Sequence, residues 1–319
     1  VYFYRDISNN QIHNIPENLF QNLKSLRNLK VDHFTLCCYA KQANPSLSCV
    51  SKTAGLSSCD ELLKNAVLKY SMWTLGLMAF LGNLVVIIWR SVSRDHNRVS
   101  SFLLVNLAIA DLLMGVYMLI IAYKDRQWDG VYFKHDISWR ASDLCIFAGV
   151  LSTISSEVSV LTLTVITLER LICIVFQFKL QRWSVKDAAR IMSAIWVLVL
   201  IISLIPLFGD SYFYDYQNNV HFFGKSAVCL PFQLSAEHRP GWEYSVFVFL
   251  VLNGTSFLFI FLAYVVMYRT IVKAGSAVRS TRASQDSTIA KRMMFIILTD
   301  FFCWFPVIII SIVALTGNL

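Results

Sequence analysis

The chain has 319 residues, 56% of them apolar, and its formal charge at neutral pH is +8. The apolar residues stand in long blocks rather than in the short alternating runs of a soluble core, so the composition favours a membrane protein. Most of the positive charge lies in alternate loops between these blocks, and no nucleic-acid partner is expected. Because the chain has no glycine-rich phosphate loop, nucleophile elbow or zinc-ligand spacing, neither enzymatic activity nor a cofactor is predicted.

The first 36 residues carry a pattern typical of leucine-rich repeats. Ile7 and Val31 occupy equivalent positions 24 residues apart, and Asn10 stands where a repeat uses an asparagine to cap its turn. Arg5 occupies a position that is normally leucine, and an irregular amphipathic segment is the alternative interpretation. Because solenoid repeats are stable only when they stack on neighbours, we expect residues 1–36 to be the end of a longer repeat ectodomain.

Residues 37–63 form a linker, or hinge, with four cysteines: Cys37, Cys38, Cys49 and Cys59. The orientation of the chain argued below places them on the oxidising side of a membrane, where disulfide bonds persist. Four cysteines allow three complete pairings, and the sequence does not choose among them. A purely structural role, capping the repeats, is the alternative to a role in signalling.

Six apolar blocks are long enough to cross a membrane as helices. Roughly 20 apolar residues span about 30 Å of hydrocarbon, and a helix satisfies every backbone polar group internally. The predicted spans are residues 65–89, 99–123, 142–176, 188–208, 242–272 and 288–315. They place residues 64–319 in a transmembrane domain, and we expect the chain to stop before a seventh crossing. Six buried helices of a soluble protein are the less favoured alternative.

The basic residues predict the orientation of the chain. They are concentrated in the first, third and fifth loops, at Arg90, Arg94 and Arg98, at Lys179, Arg182, Lys186 and Arg190, and at Arg269, Lys273, Arg279, Arg282, Lys291 and Arg292. By the positive-inside rule these loops are cytoplasmic and the N-terminus is extracellular. The third span then runs inward for about 37 Å from Cys145 to Arg170, and Cys145 can pair with Cys229 in the next extracellular loop.

Three carboxylates lie inside otherwise apolar spans, at Asp111, Glu157 and Asp300. Ionisable groups at membrane depth are costly and usually mark function, although a buried packing residue is the alternative for each. They would also suit an ion pathway, but the first three and last three spans lack the inverted repeat of a transporter. An Asn-Gly-Thr triplet at 253–255 matches the glycosylation pattern but lies inside a span, so no modification is expected there.

Short motifs in the spans, in order and at matching depth, resemble those of rhodopsin-type G-protein-coupled receptors over residues 62–319. They are Gly82-Asn83, Asn106-Leu-Ala-Ile-Ala-Asp111, Cys145, Glu169-Arg170-Leu171, Trp196, Tyr264 and Cys303-Trp304-Phe305-Pro306. The resemblance implies an all-α membrane fold: a rhodopsin-type helical bundle with six of seven transmembrane helices and a short N-terminal leucine-rich-repeat remnant. It also implies location in the plasma membrane.

Within this family the sequence is most similar to the leucine-rich-repeat receptors of the relaxin type. The short cysteine-bearing hinge, Ser155-Ser156-Glu157 in the third span, Thr299-Asp300 in the sixth and the absence of proline from the fifth carry this similarity. It implies three partners: an extracellular relaxin-like peptide hormone, a heterotrimeric G protein of the cyclase-stimulating (Gs) class, and membrane lipid. A glycoprotein-hormone-type or orphan repeat receptor, and a truncated form that does not signal, are the alternatives.

The resemblance also implies an activation switch made of Glu169, Arg170, Tyr264, Asp286, Asp300, Trp304 and Pro306. Arg170, beside Glu169, would form a cytoplasmic latch with Asp286, and release of the latch would let the sixth helix move outward. Pro306 would kink that helix, and Trp304 would act as its lever.

A central polar pocket is implied as well. It comprises Asn83, Asp111 and Ser159, and in the family it is suited to water and a sodium ion. A structural carboxylate that shares a proton with its neighbours is the alternative for Asp111.

Overall fold

The computed structural model describes residues 4–8, 10, 20, 25–53, 57–92, 97–176, 181–208, 210–215, 220–231 and 240–274. The sixth predicted span lies outside these residues, as do Asp286, Asp300, Trp304 and Pro306. The described chain forms a small parallel sheet followed by a bundle of long helices.

The N-terminal part is a parallel sheet in the order β1 (Tyr4–Asp6), β2 (Asn28–His33), β3 (Ser48–Thr53), with helix α1 (Phe34–Ala43) between the last two strands. Paired residues lie 24 residues apart in the sequence between β1 and β2, and 20 residues apart between β2 and β3. Stacked repeats require spacings of this kind. The core beneath the sheet contains Leu26, Leu29, Val31, Leu36 and Leu47. The sheet continues past residue 36, so the repeat architecture extends into the segment that the sequence assigns to the hinge.

Two disulfide bonds fix this segment: Cys37–Cys49 and Cys38–Cys59, with Cα–Cα distances of 5.6 and 5.5 Å. The first joins α1 to β3, and the second joins α1 to the stretch that leads into the first long helix. Both distances are ordinary for disulfides. Of the three pairings that the sequence leaves open, the structure has the one that joins Cys37 to Cys49 and Cys38 to Cys59.

In chain order the further helices are α2 (Ala66–Val92), α3 (Arg98–Gln127), α4 (Tyr132–Arg140), α5 (Asp143–Ile174), α6 (Val185–Phe208), α7 (Asp210–Phe213), a 3-10 turn (Phe222–Lys225), α8 (Trp242–Ser245), a π-helical segment (Val246–Leu252) and α9 (Asn253–Ala274). The last three form one continuous helix, of which Trp242–Ile271 is the fifth span. Among the described residues five helices are long and apolar enough to cross a membrane: α2, α3, α5, α6 and the fifth span. The first five predicted spans are thereby confirmed, with ends that agree to within four residues.

Helix α5 is central to the bundle and packs against α3, α6 and the fifth span. Ser142 caps its start, because the Ser142 hydroxyl accepts a hydrogen bond of 3.2 Å from the Cys145 backbone N–H. Asp143 adds a negative charge to the first turn, where the helix dipole favours one. We refer to the two ends of the bundle as the Cys145 end and the Arg170 end.

Residues 220–231 cover the Cys145 end. A disulfide bond with a Cα–Cα distance of 5.4 Å ties Cys229 of this segment to Cys145 of α5. Tyr117 Oη and Trp139 Nε1 donate hydrogen bonds of 2.8 and 2.7 Å to the two backbone carbonyls just before Cys229. The segment is therefore held by α3, α4 and α5 together.

Close packing at Gly149 yields a prediction about this cover. A Cβ atom on Gly149 would lie 2.3 Å from Phe223 Cδ1, so Gly149→Ala should force the segment away from α5 and destabilise the protein by about 1–3 kcal/mol. Gly254→Ala is the matched control, because a Cβ there meets no atom within 4 Å and removal of a helical glycine is favourable. Thermal unfolding of the purified protein in detergent measures both, and equal melting temperatures would contradict the packing argument.

Candidate functional site

The Arg170 end of α5 carries a buried ion pair. The Arg170 side chain is fully buried, and its guanidinium contacts the Glu169 carboxylate. Arg170 Nη2 also donates a hydrogen bond of 2.5 Å to Ser100 Oγ in the first turn of α3. Asn97 caps that turn by accepting a hydrogen bond of 3.3 Å from the Ser100 backbone N–H. Since a buried guanidinium is costly without polar partners, Ser100 joins α3 to α5 here.

Apolar side chains from four helices close this end of the bundle toward its centre. Buried members of the cluster include Leu103, Leu163, Ile166, Met192 and Ile260. Tyr264 of the fifth span packs against the cluster and lies within electrostatic reach of Arg170. The structure therefore brings together Glu169, Arg170 and Tyr264, the three predicted switch residues that it describes.

Polar contacts also join α5 to α3 at the centre of the bundle. Ser159 Oγ donates a hydrogen bond of 2.9 Å to Asp111 Oδ1, and one turn away Ser155 Oγ donates one of 2.8 Å to the Ala110 carbonyl. Asn83 instead donates to the Ala79 carbonyl of its own helix at 2.8 Å, and we find no hydrogen bond from it to Asp111 or Ser159 among the described residues. Two of the three predicted pocket residues are thus in direct contact.

The second membrane carboxylate faces a different neighbour. Glu157 Oε1 accepts hydrogen bonds from Asn253 Nδ2 at 3.2 Å and from Ser156 Oγ at 3.4 Å. Glu157 and Asn253 are both fully buried. Glu157 therefore connects α5 to the fifth span, whereas Asp111 and Ser159 connect α5 to α3.

The hinge is bound to the Cys145 end of the bundle through Lys69, near the start of α2. Lys69 Nζ lies 2.9 Å from Glu61, 3.6 Å from Asp125 and 3.7 Å from Asp129. Asp125 is fully buried, and its Oδ1 accepts a hydrogen bond of 2.9 Å from the Leu63 backbone N–H. Because a buried carboxylate needs compensation, this ionic cluster holds the hinge on α2 and α3.

A second connection runs from the terminal repeat to the cover segment. Arg140, at the end of α4, donates hydrogen bonds of 2.7 and 3.0 Å to the backbone carbonyls of Gly224 and Lys225. Its Nη1 lies 3.3 Å from Nε2 of His33, the last residue of β2. One side chain therefore contacts both the repeat and residues 220–231.

Helix α4 is stiffened by a buried pair of its own. Tyr132 Oη donates a hydrogen bond of 2.7 Å to Asp136 Oδ1, and Arg140 lies 3.5 Å from the other oxygen of that carboxylate. Burial and then the neighbouring Asp136 charge raise the pKa of Tyr132, which favours the protonated phenol that donates to Asp136. This fixes the position of Arg140.

Comparison with known families identifies the bundle. The family model of the 7 transmembrane receptor (rhodopsin family) matches residues 82–318. The chain belongs to this family. It is a family of receptors and not of enzymes, and with five membrane-length helices among its described residues the receptor is a multi-pass membrane protein.

Individual relatives place the receptor more closely. It is 46% identical over 301 residues to G-protein coupled receptor GRL101 of Lymnaea stagnalis, covering 94% of this chain and 26% of that protein. It is 33% identical to Relaxin receptor 2 of Canis lupus familiaris, covering 96% of this chain and 41% of that protein. It is also 33% identical to Thyrotropin receptor of Felis catus, covering 89% of this chain and 35% of that protein. The predicted similarity to repeat-bearing receptors of the relaxin type is confirmed. The chain spans about a quarter to two fifths of the length of these relatives.

Sequence reasoning missed several residues of the receptor's site. Ser100 and Lys69 are ordinary polar residues near the ends of spans, and only the antiparallel packing of α2, α3 and α5 brings them to Arg170 and Asp125. A comparison of depth could have found Ser100, because the start of α3 and the end of α5 lie at the same edge of the bundle. The sequence around Asn253 matches only a glycosylation triplet, and no local pattern predicts its contact with Glu157.

Ser100→Ala should release one restraint on Arg170. Loss of a hydrogen bond to a buried charged group costs about 1.5–3 kcal/mol, so we expect a lower melting temperature and higher ligand-independent signalling in the full-length receptor. Ser100→Thr, which keeps the hydroxyl, is the matched control and should resemble the wild type. If Ser100→Ala matched Ser100→Thr in both measurements, the contact would have no role in holding Arg170.

Proposed function

We propose that the protein is a plasma-membrane receptor for a relaxin-like peptide hormone and activates a heterotrimeric G protein of the cyclase-stimulating class. In this proposal the repeats and the Cys145 end are extracellular and the Arg170 end is cytoplasmic. The observation that carries it is an unbroken series of covalent and polar contacts from the terminal repeat, through residues 220–231 and α5, to Arg170. Such a series lets a ligand bound to the repeats influence the opposite end of the bundle.

Two connections would transmit the extracellular event. One passes from the Cys38–Cys59 disulfide to the ionic cluster around Lys69, and acts on α2 and α3. The other passes through Arg140 to the cover segment, and then through the Cys145–Cys229 disulfide to α5. A change in the angle of the repeat domain would therefore shift α3 and α5 relative to each other, and these helices meet again at Ser100 and Arg170.

At the cytoplasmic end we propose that Arg170 is the group to be released. In the described arrangement it is buried between Glu169 and Ser100, and so is not available to a G protein. An agonist would shift a pre-existing equilibrium toward a bundle in which this cleft is open. Asp286 as a further latch partner, with Asp300, Trp304 and Pro306 as the moving part, remains the prediction from the sequence.

We also propose that Asp111 and Ser159 hold a sodium ion in the closed receptor. Their carboxylate and hydroxyl oxygens are donors of the kind that hard cations take, and they already meet at 2.9 Å. An ion there would add to the contact between α3 and α5 and so favour the closed bundle.

A hormone of the thyrotropin class is the second candidate ligand. Thyrotropin receptor of Felis catus is as similar to this chain as Relaxin receptor 2 of Canis lupus familiaris, at 33% identity. The short hinge of this chain favours the relaxin-like ligand.

The proposal is tested with the full-length receptor that contains this chain, expressed in cells with a cyclic AMP reporter. Relaxin-like peptides should raise cyclic AMP in these cells and not in untransfected cells. A response to thyrotropin-like hormone alone would select the second candidate. Absence of a response to either class in every G-protein assay, with normal surface expression, would overturn the proposed function.

The ionic cluster provides a separate prediction. Lys69→Ala leaves the buried Asp125 carboxylate without its cation, which should destabilise the contact between hinge and bundle by about 1–3 kcal/mol. We expect peptide binding to remain, since the repeats are unchanged, while the maximal cyclic AMP response falls. Lys64→Ala, at an exposed lysine between the hinge and α2, is the control and should leave the response intact. Equal responses from the two variants would rule out the cluster as a path of transmission.

A further inference from the structure

The fifth span contains a helical irregularity without a proline to cause it. Residues Val246–Leu252 are π-helical between the α-helical turns of α8 and α9, and no proline occurs between residues 242 and 274. A π-helical turn holds one residue more than an α-helical turn and is frequently found at functional sites. The extra residue rotates everything that follows by about 100° relative to a continuous α-helix.

Contacts on the N-terminal side of the π-helical segment fix the rotation of α8 about the helix axis. Tyr244 Oη donates a hydrogen bond of 2.9 Å to the Ile202 carbonyl of α6. Ser245 Oγ donates one of 2.8 Å to the Pro231 carbonyl of the cover segment. Neither contact would survive a large rotation of this end of the helix.

A contact on the C-terminal side of the π-helical segment fixes the rotation of α9 about the helix axis. Asn253 is the first residue after Leu252, and its fully buried amide donates to Glu157 Oε1 at 3.2 Å. If the helix were α-helical throughout and kept the contacts of Tyr244 and Ser245, Asn253 would point about 100° away from Glu157. Both polar groups would then lose their contact at membrane depth, where water cannot replace it.

The lower half of the fifth span depends on the same rotation. Phe257, Ile260 and Tyr264 lie on the face of α9 that packs into the apolar cluster beside Arg170. We infer that Glu157 and Asn253 are positioning residues: their contact holds the fifth span in its π-helical register and so sets the placement of Tyr264 against α5. The signalling readouts below rest on the proposed function, whereas the folding readouts do not.

A single-residue deletion tests the register directly. Deletion of Val251, whose side chain is 49% exposed, removes the extra residue and leaves an α-helix that keeps both sets of contacts. Deletion of Leu258, 59% exposed in α9, is the matched control, because it rotates Ile260 and Tyr264 by about 100° out of the cluster.

We expect surface expression of the Val251 deletion to stay within about twofold of the wild type. Its melting temperature should stay within a few degrees of the wild-type value. The Leu258 deletion should lose surface expression by about tenfold, since it turns a packed face toward lipid. Equal loss in the two deletions would overturn the inference, whatever the receptor's ligand. If the two deletions differ as expected but no hormone evokes signalling, the proposed function fails and the positioning role stands.

The role of the Glu157–Asn253 contact is tested by suppression. Asn253→Leu removes the hydrogen bond, so the helix can relax to the α-helical register; we expect ligand-independent signalling of the full-length receptor to rise by roughly threefold or more. Adding the Val251 deletion should return signalling to the wild-type level, because the shortened helix reaches the correct rotation without the contact. A merely structural role for Asn253 predicts that the two changes together are worse than either alone, and that result would contradict the inference.

Conservative replacement gives a second readout. Among the described residues neither Glu157 Oε2 nor Asn253 Oδ1 has a hydrogen-bond partner, so Glu157→Gln keeps the acceptor and adds a donor that Asn253 Oδ1 can use. Glu157→Leu should reproduce the effect of Asn253→Leu, and Glu157→Gln should not. Thr255→Val, at an exposed position of α9, is the control for substitution near the segment. Signalling by Glu157→Gln equal to that of Glu157→Leu would also overturn the inference.

Discussion

Polar side chains of α5 that lipid cannot solvate organise the bundle. Ser155, Ser159 and Arg170 are bonded to α3, and Glu157 is bonded to the fifth span. Because lipid offers these groups no hydrogen-bond partner, each is bonded to a neighbouring helix, and together these contacts fix the rotation of α5 about its own axis. The apolar side chains fill the space between helices, but apolar contacts alone would tolerate many rotations.

The same helix begins under a covalently attached cover and carries the buried Arg170 in its last turns. Its start is joined to Cys229, and the cover is joined through Arg140 to the terminal repeat. Few elements are thus free to move independently at the Cys145 end. A rearrangement there has to displace α3, α4, α5 and the hinge as a group, which makes the helix ends at Ser100 and Arg170 a natural place for the displacement to appear.

Much of this could be predicted from the sequence, because hydrophobic length and basic loops depend on local composition. The first five spans, the repeat period and the proximity of Asp111 to Ser159 follow from such patterns or from the family resemblance. The pairing of Cys37 and Cys38 could not be predicted, since it depends on where β3 and the hinge fold back. The contact of Asn253 could not be predicted for a different reason. The direction of its side chain depends on a π-helical segment that lacks proline, so no local sequence pattern indicates it.

The two hinge disulfides have a mechanical meaning that follows from their position on α1. Cys37 and Cys38 are consecutive helical residues, so their side chains leave the helix axis in directions about 100° apart. The Cys37–Cys49 bond joins α1 to β3 and makes the helix and the strand one unit, whereas the Cys38–Cys59 bond ties that unit to the stretch that leads into α2. A rotation of the terminal repeat would therefore act on the start of α2 through a covalent bond as well as through the backbone.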